Sequence, residues 1–314
     1  MSDRTLFAAG AIGDVVKRIQ TALIGHGCSL AKADRVFGAD TLAAVKQFQS
    51  ANALSPTGVV DTATWQGLMQ QPVPEVGDRC LQLTAAFEGH GFELAVGNFD
   101  GALLTWGIIG FTMTSGEIPA IIKAVNTSHP DLVKSCFGDS TAELLQVMSA
   151  SREAQKQWAD AHTVRGGALA EPWKSMFANF GSHGEVQAEQ VRRVRQDYLT
   201  PAIGTARKLG FTSELGLALC FDIHVQNGGV KAAVLKALLQ NSGQPEPQRR
   251  QAVANAVADS ARAAWREDVR RRKLAVATGN GIVHGHHYTL VNWGLSGEFA
   301  APELAPAEAG ATAA

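Results

Sequence analysis

Charge of one sign is largely missing from this sequence: across 314 residues, 28 Lys+Arg face 29 Asp+Glu, a formal net charge of -1. That balance, with no long run of either sign, leaves no electrostatic footprint for a nucleic acid, and no nucleic-acid partner is expected. Cysteine is scarce as well. The four residues Cys28, Cys80, Cys136 and Cys220 lie far apart with no CxxC pair. A disulfide framework or zinc knuckle is therefore not expected, and the thiols read as isolated buried side chains. Long hydrophobic runs are also lacking. Uncharged stretches such as residues 101–115 are broken by Gly, Thr and Ser, and they fall short of the roughly 20 apolar residues a membrane span requires. No stable membrane insertion is expected. The opening segment, residues 1–16, has no basic stretch followed by an apolar one, so no secretory signal is expected and synthesis in a reducing cytoplasm is. What the sequence does have is 46% hydrophobic residues, ample for a buried core and incompatible with wholesale disorder. At about 100–200 residues per domain, its length suggests two domains.

The clearest boundary is Gln70-Gln71-Pro72-Val73-Pro74-Glu75-Val76-Gly77, because two prolines in three residues cannot continue a helix. The division expected from it is a small domain over 1–71, a linker over 72–78, a larger domain over 79–299 and a disordered tail over 300–314. The tail expectation rests on the predominance of small residues and on the prolines. In the first domain Asp14 is a candidate cap for a helix whose Val15, Val16, Ile19 and Leu23 share one face. A second helix starts at Asp40 or Thr41, with Leu42, Val45 and Phe48 inward. Pro56 and Gly58 make a turn, and Asp61 or Thr62 caps a short third helix carrying Trp65 and Leu68. The larger domain is α-rich. Asp78 opens a helix through Leu81, Leu83 and Phe87, residues 92–112 break into short strands and turns, and helical patterns return at about 116–126, 139–164, 184–209, 212–225 and 246–276. The segment 279–288 reads as a loop. The fold class expected is mainly α with one small β region.

The strings GDVVKRIQTALIGHG, DRVFGADTLAAVKQFQ and GVVDTATWQGL within residues 13–69 resemble the three-helix peptidoglycan-binding domain of bacteria. The residues that carry the resemblance are Gly13-Asp14-Val15 with Ile19-Gln20, then Phe37-Gly38, Thr41, Ala44-Val45 and Phe48-Gln49, then Gly58, Asp61, Thr64-Trp65 and Leu68. One departure is Arg35, where that family has Gly after the Asp. The resemblance implies peptidoglycan glycan strands as the partner.

In the second domain two carboxylates stand out. Cutting a glycosidic bond requires a protonated carboxyl at the leaving oxygen and a second carboxylate for water or the anomeric carbon. A proton donor is best placed at the end of an apolar helix, where desolvation favours the neutral form. Glu88, after Leu83, Ala85, Ala86 and Phe87 and before Gly89, has that setting. Asp100, in Gly97-Asn98-Phe99-Asp100-Gly101, has the loop setting that suits the second group. Glu93 is a rival, and Glu117 and Asp222 are later candidates. On residues alone, a helix-terminal Glu and an Asp before Gly also fit surface and turn positions.

The stretch LQLTAAFEGHGF followed by GNFDGALLTWGIIGFT is similar to the chitosanases of glycoside hydrolase family forty-six, members of the lysozyme-like superfamily. The resemblance implies that Glu88 is the general acid and Asp100 the base, and that Thr105 helps hold the attacking water. It also implies inversion, with carboxyls about 6.5–9.5 Å apart; the residues themselves leave a retaining outcome open. Later in the chain, Gln226 and Asn227 are candidates for hydrogen bonding sugar hydroxyls or N-acetyl groups, or simply a polar helix end before Gly228-Gly229. Asn98 and Tyr288 complete the candidate substrate-binding residues. His284, His286 and His287 have no carboxylate or cysteine at ligand spacing, so no metal and no cofactor is expected. The runs Arg192-Arg193-Val194-Arg195 and Arg270-Arg271-Arg272-Lys273 read as solvated or ion-paired faces.

The two resemblances meet on one polymer. A wall-binding module raises the effective concentration of a murein hydrolase on its substrate and gives a pure chitosanase little. The expectation is a monomeric muramidase resembling phage endolysins. It would be made in the host cytoplasm and act on periplasmic peptidoglycan after release through a holin or a secretion device. The alternatives are a chitosanase, a secreted muramidase effector and a catalytically inactive wall-binding protein.

Overall fold

The computed structural model describes residues 4–89, 91–240 and 243–305. The chain forms two compact units, one built from the chain up to Phe87 together with the chain from Tyr198 onward, the other from Glu88–Asp197. Most of the described elements are helices, as the apolar periodicity requires.

The first unit begins with β1 (Thr5–Phe7), α1 (Asp14–Gly25), α2 (Ala39–Ala51), β2 (Val60–Asp61) and α3 (Thr62–Met69), and β1 pairs antiparallel with β2. The apolar positions read from the sequence are the core: Val15, Val16, Ile19, Leu23, Val45, Phe48, Trp65 and Leu68 are all buried. Leu42, expected inward, is only half-buried. Two motif glutamines fasten the loops. Gln20, fully buried, donates through Nε2 to Asp34, Val36 and Thr41 and accepts the Arg35 N–H at 2.9 Å. Gln49 does the same for the second turn, donating to the Val59 carbonyl at 2.8 Å and the Thr64 hydroxyl at 2.9 Å and accepting the Gly58 N–H at 2.9 Å. Asp61 caps α3 by accepting the Thr64 N–H at 2.8 Å. The cap of α1 is Gly13, not Asp14. Asp14 sits one position inside, buried, paired with Arg35 at 3.0 Å. Arg35 holds the left-handed conformation, φ 70°, that its family counterpart glycine adopts without strain, and its guanidinium contributes the ion pair.

After α4 (Val76–Glu88) the second unit opens with a three-stranded antiparallel sheet, β3 (Ala95–Val96), β4 (Thr105–Trp106) and β5 (Phe111–Thr112), in that order. Then come the helices α5 (Glu117–Ser128), α6 (Pro130–Phe137), α7 (Thr141–Ser149), α8 (Arg152–Ala161), α9 (Trp173–Ser182) and α10 (Gly184–Val194). Trp106 is the centre of this core, with Phe177 and Phe180 at 5.5 and 5.6 Å and its indole N–H on the Phe177 carbonyl. Buried Gln190 of α10 donates to the Phe92 carbonyl at 3.2 Å and accepts the Ile108 N–H at 3.0 Å, tying the helix to the sheet.

The chain returns to the first unit as α11 (Thr200–Lys208), α12 (Glu214–Asn227), α13 (Ala232–Leu239), α14 (Glu246–Asp259), α15 (Arg266–Thr278) and the hairpin β6 (Asn280–Val283) and β7 (His286–Thr289). Residues 214–223 of α12 are buried all round, which makes it the central helix. At its start the fully buried Glu214 accepts from Arg4 and from Arg79 of α4, the latter at 2.9 Å, and from the Ser296 N–H at 3.0 Å. The Ala8 N–H bonds the Asn292 carbonyl at 3.1 Å. The N-terminal module is thus knitted to α4 and to the end of the chain within one unit.

Several expectations change. Prolines 72 and 74 do separate α3 from α4, but α4 already starts at Val76, and the module does not stand apart from the helices after it. The helical pattern over 139–164 is two helices, because Ser151 turns extended and caps α8 through the Ala154 N–H. The pattern over 184–209 is interrupted by a π turn at Arg195–Leu199, just before Pro201, which has no N–H to donate. The loop over 279–288 is a hairpin. The tail expectation is corrected over 300–305: Ala301 donates to the Thr212 carbonyl at 2.9 Å, Leu304 is buried, and Glu303 accepts the Gly77 N–H at 3.0 Å. Residues 306–314 lie outside the described residues.

Candidate active site

Glu88 is the last residue of α4, whose Leu81, Leu83, Ala85 and Phe87 are buried. It is itself half-buried, and Gly89 ends the helix at φ 66°. The carbonyls just before it are held by the β6–β7 hairpin. The Tyr288 hydroxyl donates to the Ala86 carbonyl at 3.3 Å, and the His284 Nδ1 lies 3.2 Å from the Phe87 carbonyl. Helix ends leave such carbonyls without partners, so the hairpin acts as their cap.

Asp100 sits at an exposed tip of the connection between β3 and β4, and its Oδ1 accepts the Ala102 N–H at 3.0 Å. Asn98 shapes that connection. Its Oδ1 accepts from the N–H groups of Gly101 and Leu103 at 3.1 and 3.2 Å, its Nδ2 donates to Asp160 at 2.7 Å, and its own N–H donates to the Thr163 hydroxyl at 2.8 Å. With its amide so engaged, Asn98 positions the Asp100 loop. Phe99 projects beside Asp100, 63% exposed, with Gly167 beneath it: a Cβ there would lie 2.5 Å from the Phe99 Cβ. Thr105 is buried in β4, opposite Val96 and Thr112. Glu88, Asp100 and Thr105 all belong to the second unit.

Other candidates have structural work. Tyr288 is a core residue, edge-on to Phe87 at 4.7 Å and against Trp293 at 5.4 Å, and burial pushes its hydroxyl pKa up. Its expected contact with substrate is therefore corrected. Glu117 lies buried in the first turn of α5 and accepts from the Thr112 N–H and the Ser115 hydroxyl at 3.2 and 2.6 Å. Glu93 precedes β3 in a turn and is half-buried, while Phe92 is buried and Leu94 exposed. Asp222 is fully buried between Arg272, at 2.6 Å, and Lys273, at 2.5 Å, with the Thr84 hydroxyl donating at 3.1 Å. Burial alone would raise its pKa, but the two cations and their hydrogen bonds overcome that and hold it well below the usual carboxylate range. The run 270–273 is accordingly no uniform solvated face. Arg270 pairs with Asp259 and Glu267 at the surface, whereas Arg272 and Lys273 point into the core. Among the described residues no three His, Cys, Asp or Glu side chains converge as metal ligands.

Gln226 and Asn227 close α12, with Gly228 in the left-handed cap. Both residues line a cavity of about 550 Å³, while Oε1 of Gln226 and Oδ1 of Asn227 themselves are buried in the protein, without a hydrogen-bond partner among the described residues. The same wall holds Lys231, Arg262 and Trp265, which sequence reasoning passed over. The signal for Trp265 was present: it is a lone large apolar residue in Ala261-Arg262-Ala263-Ala264-Trp265-Arg266-Glu267, a segment with no apolar periodicity to bury it.

Residues 13–68 match the family described as "Putative peptidoglycan binding domain". No curated protein matches the chain. Among solved structures the chain is similar to the native chitosanase from Bacillus subtilis MY002, at 19% identity and a TM-score of 0.46, over 64% of this chain and 85% of that one. It is similar also to a family forty-six chitosanase from Gynuella sunshinyii in complex with chitotetraose, at 18% identity and a TM-score of 0.46, over 67% of this chain and 88% of that one.

Proposed function

We propose that this protein is a glycoside hydrolase of bacterial murein, a lysozyme-like muramidase that cuts β-1,4 bonds of the glycan. The observation that carries this reading is the wall-binding module. The segment that matches the peptidoglycan-binding family lies in the same compact unit as α4 up to Phe87, the residue before the proposed acid. In that unit Glu214 ties the chain ahead of the module, through Arg4, to α4, through Arg79. In the proposed reaction Glu88 gives its proton to the glycosidic oxygen as the bond to the anomeric carbon breaks. Asp100 takes a proton from water, whose oxygen bonds that carbon. The Thr105 hydroxyl, which makes no hydrogen bond among the described residues, is available to hold that water. Exposed Phe99 beside Asp100 offers a ring for a sugar face. The place of action that accompanies this reading is periplasmic murein, reached from a host cytoplasm through a holin or a secretion device.

The test is Glu88→Gln, assayed for reducing ends released from purified murein and, separately, from chitosan. Loss of about 10²–10⁴-fold is the expected outcome, with binding to murein sacculi retained. Unchanged clearing of murein by the variant would remove Glu88 from the acid role. The Asp100–Phe111 string favours a second reading, a chitosanase, and release from chitosan but not murein would select it. Sacculus binding with no product from either polymer would select a wall-binding protein without activity.

A further inference from the structure

The proposed base stands on an irregular and partly strained loop. Residues 97–104 connect β3 to β4, with Asp100 exposed at the tip. Gly101 and Leu103 both take the left-handed conformation, at φ 90° and 68°. For leucine that region is unfavourable, and such a loop keeps one conformation only where its surroundings over-determine it. The far half, residues 102–104, is held by β5 and the turn after it: the Met113 N–H donates to the Leu104 carbonyl at 2.9 Å and the Thr114 N–H to the Ala102 carbonyl at 3.3 Å. The near half, which carries Asp100, has a different support.

That support is the chain between α8 and α9, in the same unit. There Thr163 and Leu169 form an antiparallel bridge, the Val164 N–H donates to the Ala168 carbonyl at 2.9 Å and the Ala170 N–H to the His162 carbonyl at 2.7 Å. Residues 162–170 are therefore a tight hairpin. Its foot is fixed by buried Leu169 and by Trp158 of α8, edge-on to Trp173 of α9 at 4.9 Å. The Thr163 hydroxyl gives its proton to the Ala159 carbonyl at 2.7 Å, which leaves its lone pairs to accept the Asn98 N–H at 2.8 Å. Gly97 approaches the same oxygen so closely that a Cβ would lie 2.5 Å from it. On the other side of Asn98, Phe99 packs on Gly167, where a Cβ would lie 2.5 Å from the Phe99 Cβ. Asp160 adds an exposed contact, accepting from the Asn98 Nδ2 and pairing with Lys156. Exposed pairs contribute little, so the half-buried Thr163 contact carries the hold.

We propose that Thr163 is a positioning residue for the base: by accepting the Asn98 N–H it clamps the near half of the loop to the 162–170 hairpin and so sets where the Asp100 carboxylate stands. The inference rests on the hydrolase reading, in which Asp100 takes a proton from the attacking water. Thr163 acts through Asn98 and not on the substrate. A general base works only within hydrogen-bond reach of its water, and a misplacement of about 1 Å can cost on the order of 10²-fold in rate. The clamp therefore acts on turnover and leaves substrate binding nearly untouched. It also gives Gly97 a reason, since any side chain there would wedge the loop away from Thr163.

The test measures kcat and KM separately, from reducing ends released from soluble murein glycan strands or from chitosan, together with amide hydrogen exchange of the full chain over residues 97–104. Thr163→Val keeps the shape of the side chain and removes the acceptor. It is expected to lower kcat about tenfold or more with KM changed by less than about threefold, and to speed exchange over 97–104. Thr163→Ser restores the hydroxyl and is expected to keep kcat within about threefold of the unsubstituted chain. Gly97→Ala displaces the loop without deleting a hydrogen-bonding group and is expected to reproduce the kcat loss, which keeps the test open if Thr163→Val does not fold. A melting transition checks each variant. Full kcat in both Thr163→Val and Gly97→Ala overturns the proposal, as does a rise in KM alone, or a Thr163→Ser loss equal to that of Thr163→Val. Asp100→Asn separates this outcome from the catalytic reading. Activity lost in Asp100→Asn but kept in Thr163→Val leaves the base and removes the positioning residue. Activity kept in Asp100→Asn, or absent from the unsubstituted chain, removes the base and Thr163's part in catalysis with it, and the exchange measurement then decides the clamp by itself.

Discussion

Two pairs of side-chain amides in this molecule look alike in sequence and behave oppositely in the fold. Gln20 and Gln49 of the N-terminal module are buried with donors and acceptors all engaged, each stitching a loop to a helix. Gln226 and Asn227 at the end of α12 bury their oxygens and bond them to nothing among the described residues. A buried polar atom costs free energy unless it is paired, and a net gain follows only when the pairing is complete. The first pair is thus part of what holds the module together. The second is a cost that the rest of the fold offsets. Burial alone does not tell the two pairs apart; satisfaction does.

The comparison breaks most severely at its charged extreme. Asp222 is the satisfied class carried to full ionisation, and Asp222→Ala leaves Arg272 and Lys273 buried without a counter-charge, an expected loss of about 3–5 kcal/mol. A urea melt checks it. The pH dependence has a definite sign. Because the folded carboxyl titrates below its ordinary value of about 3.9, its contribution is complete above that value and is lost as the pH falls toward the folded pKa. Asp222→Asn is expected to flatten the acid limb of the stability curve.

Next in size is Gln49→Leu, which strands the Gly58 N–H and the partners of Nε2. A fall of about 1–3 kcal/mol is expected, read as a lower thermal midpoint. Gln226→Leu is the counterpart with the smallest effect. Removing an oxygen that bonds to nothing should change stability by less than about 0.5 kcal/mol, or raise it. A Gln226→Leu loss as large as that of Gln49→Leu would erase the distinction between the two pairs.

Much of the module was legible because its determinants are local. The 3.6-residue spacing of Val15, Ile19, Val45 and Phe48 dictates which faces are buried, and Asp61 three residues before Thr64 is a cap that chain proximity alone can form. The small β excursion was legible from its glycines, and Glu88 does end a helix. Arg272 and Lys273 were misread because a run of four cations looks solvated unless the acid fifty residues upstream is known. Tyr288 was misread because an aromatic in a Gly- and His-rich stretch looks exposed unless the helix end it caps is known. The segment 300–305 has a single large apolar side chain, Leu304, yet its backbone finds Thr212, and no local pattern encodes that pairing.

The sequence by itself determined the helices of the N-terminal module and their buried faces, the wall-binding resemblance and the two carboxylates put forward for catalysis, all properties of residues within a few turns of one another. Tertiary structure decided which polar side chains find partners and which do not. Long-range partners make that decision: Asp222 is occupied because α15 returns to it, while the oxygens of Gln226 and Asn227, one turn further along the same helix, are buried with no partner among the described residues.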